Sequence, residues 1–447
     1  MHLRRWGRNV WPFLLVALVI AVRNPVPICR PEFWAEDADQ LFITAMNRGV
    51  ESILLPIYGY HFLIPRLIAY LAGFFPIIII PLLYTLSSLA FNALATGYFS
   101  RDGFSWLIPR RSFRVFICAT LAIGPGTAEV FLNLINLASP LAFLAALILL
   151  EEPRHLSNRK LLALVILALS SGQTFLFLPL VIYLWNLTGN RRYALILAVI
   201  SSLALINFIG STGASREAGL LNYEHGVAAP RIMLEQGFVR LLSAPLLGPN
   251  ITGRLMKAPD YIFWPLLFAS LSLILWACSS RWNRAPDRVA LLTLTYAGAI
   301  AAFGIIAVAR NYAIGLIQRQ GGTALWDMRY SYLPGQVVMV IWFAWLYFIK
   351  ERVPRMRHLV TVVFAVLLSW NLSQWHEVYE RPDLHWPETA KKLEQALRAQ
   401  EQGALREAVA VTGFKVHPSW YHLADMPLVV EINGRVTVRA EKSYGKR

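Results

Sequence analysis

The sequence predicts an all-α polytopic membrane protein, with about eleven transmembrane helices and a small α+β domain at its C-terminal end. Three observations lead there. Hydrophobic residues fill 56% of the 447 positions and only 15% are charged, with a mean hydropathy of +0.49, so the charges must be concentrated between long apolar stretches. Apolar runs recur along most of the chain at lengths suited to a bilayer. Composition then changes after Trp375, where charge becomes frequent and the apolar runs end. A membrane domain over 1–375 and an extracytoplasmic domain over 376–447 follow.

The first apolar segment, 11–22, comes after Arg4, Arg5 and Arg8 and lacks an A-x-A-like cleavage site, so it reads as an uncleaved signal anchor. Further spans are expected at 76–99, 115–132, 137–150, 161–169, 175–185, 193–209, 263–278, 289–308, 337–349 and 359–370. The pair within 161–185 is short for two crossings, and a re-entrant hairpin stands beside that reading. Basic residues fall in alternate connections: Arg101, Arg110, Arg111 and Arg114; Arg154, Arg159 and Lys160; Arg191 and Arg192; Arg281, Arg284 and Arg288; Lys350, Arg352, Arg355 and Arg357. Cytoplasmic loops collect Lys and Arg, which puts these connections and the N-terminus inside and the tail outside. The loops 23–75, 124–136, 210–261 and 310–332 then share the outer side with the tail.

In the tail, 387–402 places Ala390, Leu393 and Leu397 on one helical face. Residues 428–440 alternate as two strands around Asn433-Gly434, the pair preferred by a type I′ hairpin turn.

Several function classes recede on composition. The net charge of +16 sits largely between apolar segments, where basic residues fix topology, and does not indicate nucleic acid as a partner. Cys29, Cys118 and Cys278 have no CxxC spacing and read as packing residues. The interiors of the expected spans carry no Asp, Glu, Lys or Arg, which argues against a proton-coupled transporter or ion pump.

Ionisable groups gather instead in the outer loops. Glu32, Glu36, Asp37 and Asp39 follow the anchor, and Tyr58, Tyr60, His61 and Arg66 come soon after. Adjacent carboxylates can divide labour, one accepting a proton from an attacking hydroxyl and the other orienting a partner, a sugar or a metal; a solvated acidic loop is the plainer role for the same residues. Arg66 lies in an amphipathic stretch suited to the headgroup level, where a guanidinium can grip a phosphate bidentately or simply anchor the interface. Glu129, Asn133 and Asn136 recur at spacings of four and three, one face of a helix in the second outer loop. Asp327, Arg329, Tyr330 and Tyr332 collect before a late span. The nine histidines show no metal-ligand spacing, so no cofactor is assigned and a divalent metal is left open.

This ordered set resembles the GT-C superfamily of integral-membrane glycosyltransferases. An uncleaved first span, an outer loop opening on Glu36 and Asp37, an interfacial helix with Gly59, Tyr60 and Arg66, a second loop with Glu129, and a late Arg329-Tyr330 all match its organisation. The resemblance implies a GT-C-like membrane domain that moves a sugar, with inversion, from a polyprenyl-phosphate donor to an envelope lipid, glycan or protein at the outer face of a bacterial-type cytoplasmic membrane. It implies Asp37 as general base with Glu36 as partner or alternative base, and Tyr60, Arg66, Glu129, Asn133, Arg329 and Tyr330 as substrate-binding residues. Among these, Arg66 and Arg329 would hold the donor phosphate. A flippase or exporter of polysaccharide or lipid-linked sugar is the second reading, and an envelope-complex scaffold the third.

Overall fold

A computed structural model describes residues 2–217 apart from 35, 58–59, 125–129 and 153–154. It then describes 329–352, scattered positions through 369, 384–411 except 406, and 428–438 except 432. The expected spans at 263–278 and 289–308 lie outside these residues, and 359–370 is described only in part. The described chain is mostly helical, with one small sheet.

The chain opens with α1 (His2–Arg23), a four-residue helix α2 (Val26–Cys29), a π-helical segment (Asp37–Ile43) and α3 (Thr44–Arg48). A 3-10 helix (Gly49–Leu54) leads to α4 (Leu63–Ala72). The bundle continues with α5 (Ile80–Gly97), extended by 3-10 turns at both ends, then α6 (Arg111–Ile123), α7 (Ala138–Leu150), α8 (Asn158–Ser170), α9 (Leu178–Thr188) and α10 (Arg191–Glu217). Helices α11 (Arg329–Arg352) and α12 (Trp386–Glu401) follow.

Among the described residues one helix, Ile77–Ser100, is long and apolar enough to cross a membrane. Helices α6, α7 and α8 have 13 residues each, which at the usual helical rise is only about 20 Å. The expected span 115–132 is accordingly cut short. Gly124 precedes Pro125, a position from which the following ring excludes helical backbone, and Leu132 adopts a left-handed φ of 67°. The expected helical face of Glu129, Asn133 and Asn136 is therefore not formed: Asn133 lies in irregular backbone, Asn136 lies in a 3-10 turn, and Glu129 falls outside the described residues.

The basic connections meet at one end of the bundle. Glu151, just after α7, accepts hydrogen bonds from Tyr98 Oη at 2.7 Å and Arg101 Nε at 2.7 Å, and lies 3.1 Å from Lys160 Nζ. Arg114 donates to Asp102 at 2.8 Å and to the carbonyls of Ile108 and Pro109. Arg192 donates to the carbonyl of Leu156, which brings the start of α10 to the same end. Segment 161–185 thus runs from the basic end toward the opposite end and back as two short helices, α8 and α9.

Burial opposes the charge of Glu151, yet the hydrogen bonds from Tyr98 and Arg101 outweigh it and hold the carboxyl below its ordinary range. A carboxyl depressed in the folded state stabilises the fold above its ordinary range, and that contribution is lost as pH falls through the depressed value. Melting temperature measured from neutral to acid pH should therefore fall less steeply in Glu151→Gln than in the parent.

At the other end the tail docks on the first long loop. Trp386, at the start of α12, packs edge-on against Phe33 with ring centroids 4.7 Å apart and donates through Nε1 to the carbonyl of Ile78 at 3.1 Å. Glu32 accepts from the main-chain N–H groups of Leu384 and Trp386, capping α12 from a distance of 354 residues in sequence. Asn47 pairs with the main chain of Val436, donating to its carbonyl at 2.6 Å and accepting from its N–H at 2.8 Å. Asn47→Ala removes both bonds at the edge of the tail sheet. It should loosen the tail by about 1–3 kcal/mol, seen as faster tryptic cleavage between 384 and 438.

Ala390 and Leu393 are buried on α12 as the periodicity predicts, and Leu397 packs against the core. The predicted strands form as β2 (Leu428–Val430) and β3 (Val436–Val438), and the sequence missed a third strand, β1 (Val409–Val411), which pairs antiparallel with β2. The type I′ turn is corrected. Among the described residues of the turn only Gly434, at φ 79°, is left-handed, and its N–H donates to the carbonyl of Glu431 while the N–H of Glu431 donates to the carbonyl of Arg435. This is the wider loop in which a glycine takes the left-handed position after an ordinary turn.

Candidate functional site

The four acids of the first loop separate by what their oxygens touch. Glu32 caps α12. Asp39 accepts from Gln40 Nε2 at 2.9 Å. Asp37 is buried, and its two oxygens accept from the main-chain N–H groups of Leu134 (3.2 Å) and Ile135 (2.7 Å). Those donors open the 3-10 turn Ile135–Leu137 that leads directly into α7, so the carboxylate complements the positive end of that helix and satisfies N–H groups with no intrahelical partner.

Glu36 precedes the π-helical segment and is partly buried, and its Oε2 is enclosed with no hydrogen-bond partner among the described residues. A buried carboxylate oxygen without a donor is costly to a fold, which makes it the chemically available member of the pair.

Arg66, on the buried face of α4, is 2% exposed. Its Nε donates to the carbonyl of Leu55 at 3.2 Å and its Nη1 to the carbonyl of Gln40, fastening both arms of the loop. Burial pulls the guanidinium down to about 10, opposed by the neighbouring Tyr84 and Asp39, so it stays charged at neutral pH. Lys carries the charge but cannot fork between two carbonyls. Arg66→Lys should therefore lower stability by about 1.5–3 kcal/mol in thermal unfolding. If it melts like the parent while losing donor affinity, the expected phosphate role is the correct one.

Three segments converge on this end of the bundle. Tyr60 is partly exposed, and its ring lies against Gly172 at the α8–α9 turn, where a larger residue would have to displace that ring. The N–H of Ile64 donates to Ser170 Oγ at 3.1 Å. Gln173 donates to Ser139 Oγ at 3.0 Å, one turn beyond the helix start that Asp37 caps. Asn133 is fully buried, and its carbonyl accepts from Ser88 Oγ at 2.9 Å. Arg329 and Tyr330 open α11, with their side chains outside the description. Tyr332 lies inside that helix rather than in the loop before it, buried with its ring 5.8 Å from that of Phe131.

Sequence reasoning missed Tyr84 on α5, which lies within electrostatic range of both Asp37 and Arg66. It also missed the polar face that Tyr84 begins. Tyr84, Thr85, Ser88, Asn92 and Thr96 are all buried on α5, and their spacing of three and four along an apolar helix was the available signal. Among the described residues no three His, Cys, Asp or Glu side chains gather to hold a metal ion. Comparison with known proteins assigns the chain to no family: no family model, no curated protein and no solved structure matches it.

Proposed function

We propose that this chain is a polytopic membrane glycosyltransferase of the GT-C type. It moves a sugar from a polyprenyl-phosphate donor to an envelope lipid, glycan or protein at the outer face of the cytoplasmic membrane. The N-terminus is inside and the tail domain outside. The observation that carries this reading is the acid pair: one carboxylate is tied to the main chain, and its neighbour keeps an enclosed oxygen with nothing to bind.

The chemistry suits such a pair. Glu36 Oε2 takes the proton of the acceptor hydroxyl as its oxygen attacks the anomeric carbon, the bond from that carbon to the phosphate oxygen breaks, and polyprenyl phosphate leaves. This exchanges the roles that the resemblance implies, because the oxygens of Asp37 are already engaged by Leu134 and Ile135. Asp37 holds the loop that presents Glu36. With Arg66 committed to two carbonyls, Arg329 is the cation left to meet the leaving phosphate among the two arginines expected to do so.

The alternative, an exporter of lipid-linked sugar, draws support from the polar face of α5, since passage of a sugar needs an uncharged hydrogen-bonding path. Mass spectrometry of envelope glycans and lipids separates the two. A deletion strain of a transferase lacks one sugar modification and gains unused donor, and Glu36→Gln does not restore it. If Glu36→Gln restores the parental profile, the transferase reading fails.

A further inference from the structure

Helix α5 is apolar on average, yet its buried face carries Tyr84, Ser88, Asn92 and Thr96 in register. Ser88 is satisfied by the carbonyl of Asn133, and Asn92 Nδ2 donates back to Ser88. The rest of the face is not satisfied. Tyr84 Oη, Asn92 Oδ1 and Thr96 Oγ1 are enclosed without a hydrogen-bond partner, as are Tyr332 Oη and Gln336 Oε1 on α11. These residues are each at most 2% exposed. Tyr332 lies against Thr96 across the seam, and Gln336 is fastened on its other side to the carbonyl of Leu121.

Orphaned polar groups inside a protein are rare because each forfeits its hydration, and several in one bundle would exceed the net stability of a fold unless water reached them. Their character also selects the ligand. Hydroxyls and amide oxygens suit water or other neutral hydroxyls, and the neighbouring guanidinium groups, Arg66 and Arg23, donate to main-chain carbonyls.

We propose that the α5–α11 seam is a water-filled slot that opens beside the acid pair at Tyr84, runs about 18 Å along α5 to Thr96, and is closed at its inner end by the Glu151 clasp. Beyond Thr96 the described polar groups at the end of α5 engage one another: Tyr98, Arg101 and Lys160 all converge on Glu151. A slot sealed at the basic end admits water and substrate hydroxyls from one side only. That distinguishes a transferase, which needs access from one face, from an exporter, which needs passage.

The slot depends on these side chains alone, whereas its sidedness rests on the membrane reading, and the two are tested separately. In detergent, the unaltered protein is exposed to radiolytic hydroxyl radicals. Tyr84 and Tyr332 should be oxidised at least roughly tenfold faster than Phe143, which is equally buried at 1% among apolar neighbours. Oxidation at the rate of Phe143 overturns the slot, whatever the topology. In sealed vesicles, single cysteines at positions 92 and 96, with Cys29, Cys118 and Cys278 replaced by Ala, are treated with an impermeant cationic methanethiosulfonate. Labelling from the face that carries the tail, and not from the opposite face, is expected. Labelling from the opposite face overturns the seal and favours an exporter, and absence of labelling from both faces overturns access. A variant cysteine protein that does not fold is replaced by the footprinting measurement, which needs no substitution.

Discussion

Glu36→Gln is expected to give a folded protein that transfers almost no sugar, a loss on the order of a hundred- to ten-thousand-fold. The substitution keeps the size of the side chain and removes the proton acceptor. It also removes a charge from an enclosed oxygen that has no donor, so the melting temperature should stay level or rise. Opposite signs for stability and activity are the mark of a group kept for chemistry at a structural cost. Sugar transfer from a polyprenyl-phosphate donor and thermal unfolding, measured on the same purified preparation, decide it. Full transfer by Glu36→Gln removes the base from this model. A fall in melting temperature alongside lost transfer would instead make Glu36 a structural residue of the loop.

What could be read from the sequence followed from local pattern. The first helix, 77–100, the 158–170 and 172–188 pair, the α12 face and the β2–β3 hairpin are all set by periodicity and punctuation that act over a few residues. The misreadings share a cause as well. Expected span 115–132 looked continuous because VFLNLINLAS remains apolar after the Gly124-Pro125 break, and average hydrophobicity does not register a backbone reversal at Leu132. Strand β1 is three residues long and exists only through its pairing with β2. The polar face of α5 was diluted by the leucines around it, although its spacing was in plain view. The acid pair was found, but its division of labour was beyond reach, because the groups that engage Asp37 lie 97 and 98 residues away.

That long-range contact gives the second large effect. Asp37→Ala leaves the N–H groups of Leu134 and Ile135 buried and unpaired at the entry to α7, at about 1–3 kcal/mol for each orphaned donor, and removes a negative charge from the positive end of that helix. Asp37→Asn is milder and more informative. Its carbonyl can still receive one N–H, while its amide turns a donor toward the other, so about one donor's worth of stability, 1–3 kcal/mol, should be lost. Thermal unfolding of the detergent-solubilised protein reads the loss directly. Transfer normalised to folded protein should survive in Asp37→Asn far better than in Glu36→Gln, because the loop is loosened while the proton acceptor remains. The reverse pattern, a parental melting temperature with transfer abolished, would show that the proton goes to Asp37 and that its contacts with Leu134 and Ile135 orient the catalytic base, restoring the assignment that the family resemblance implies.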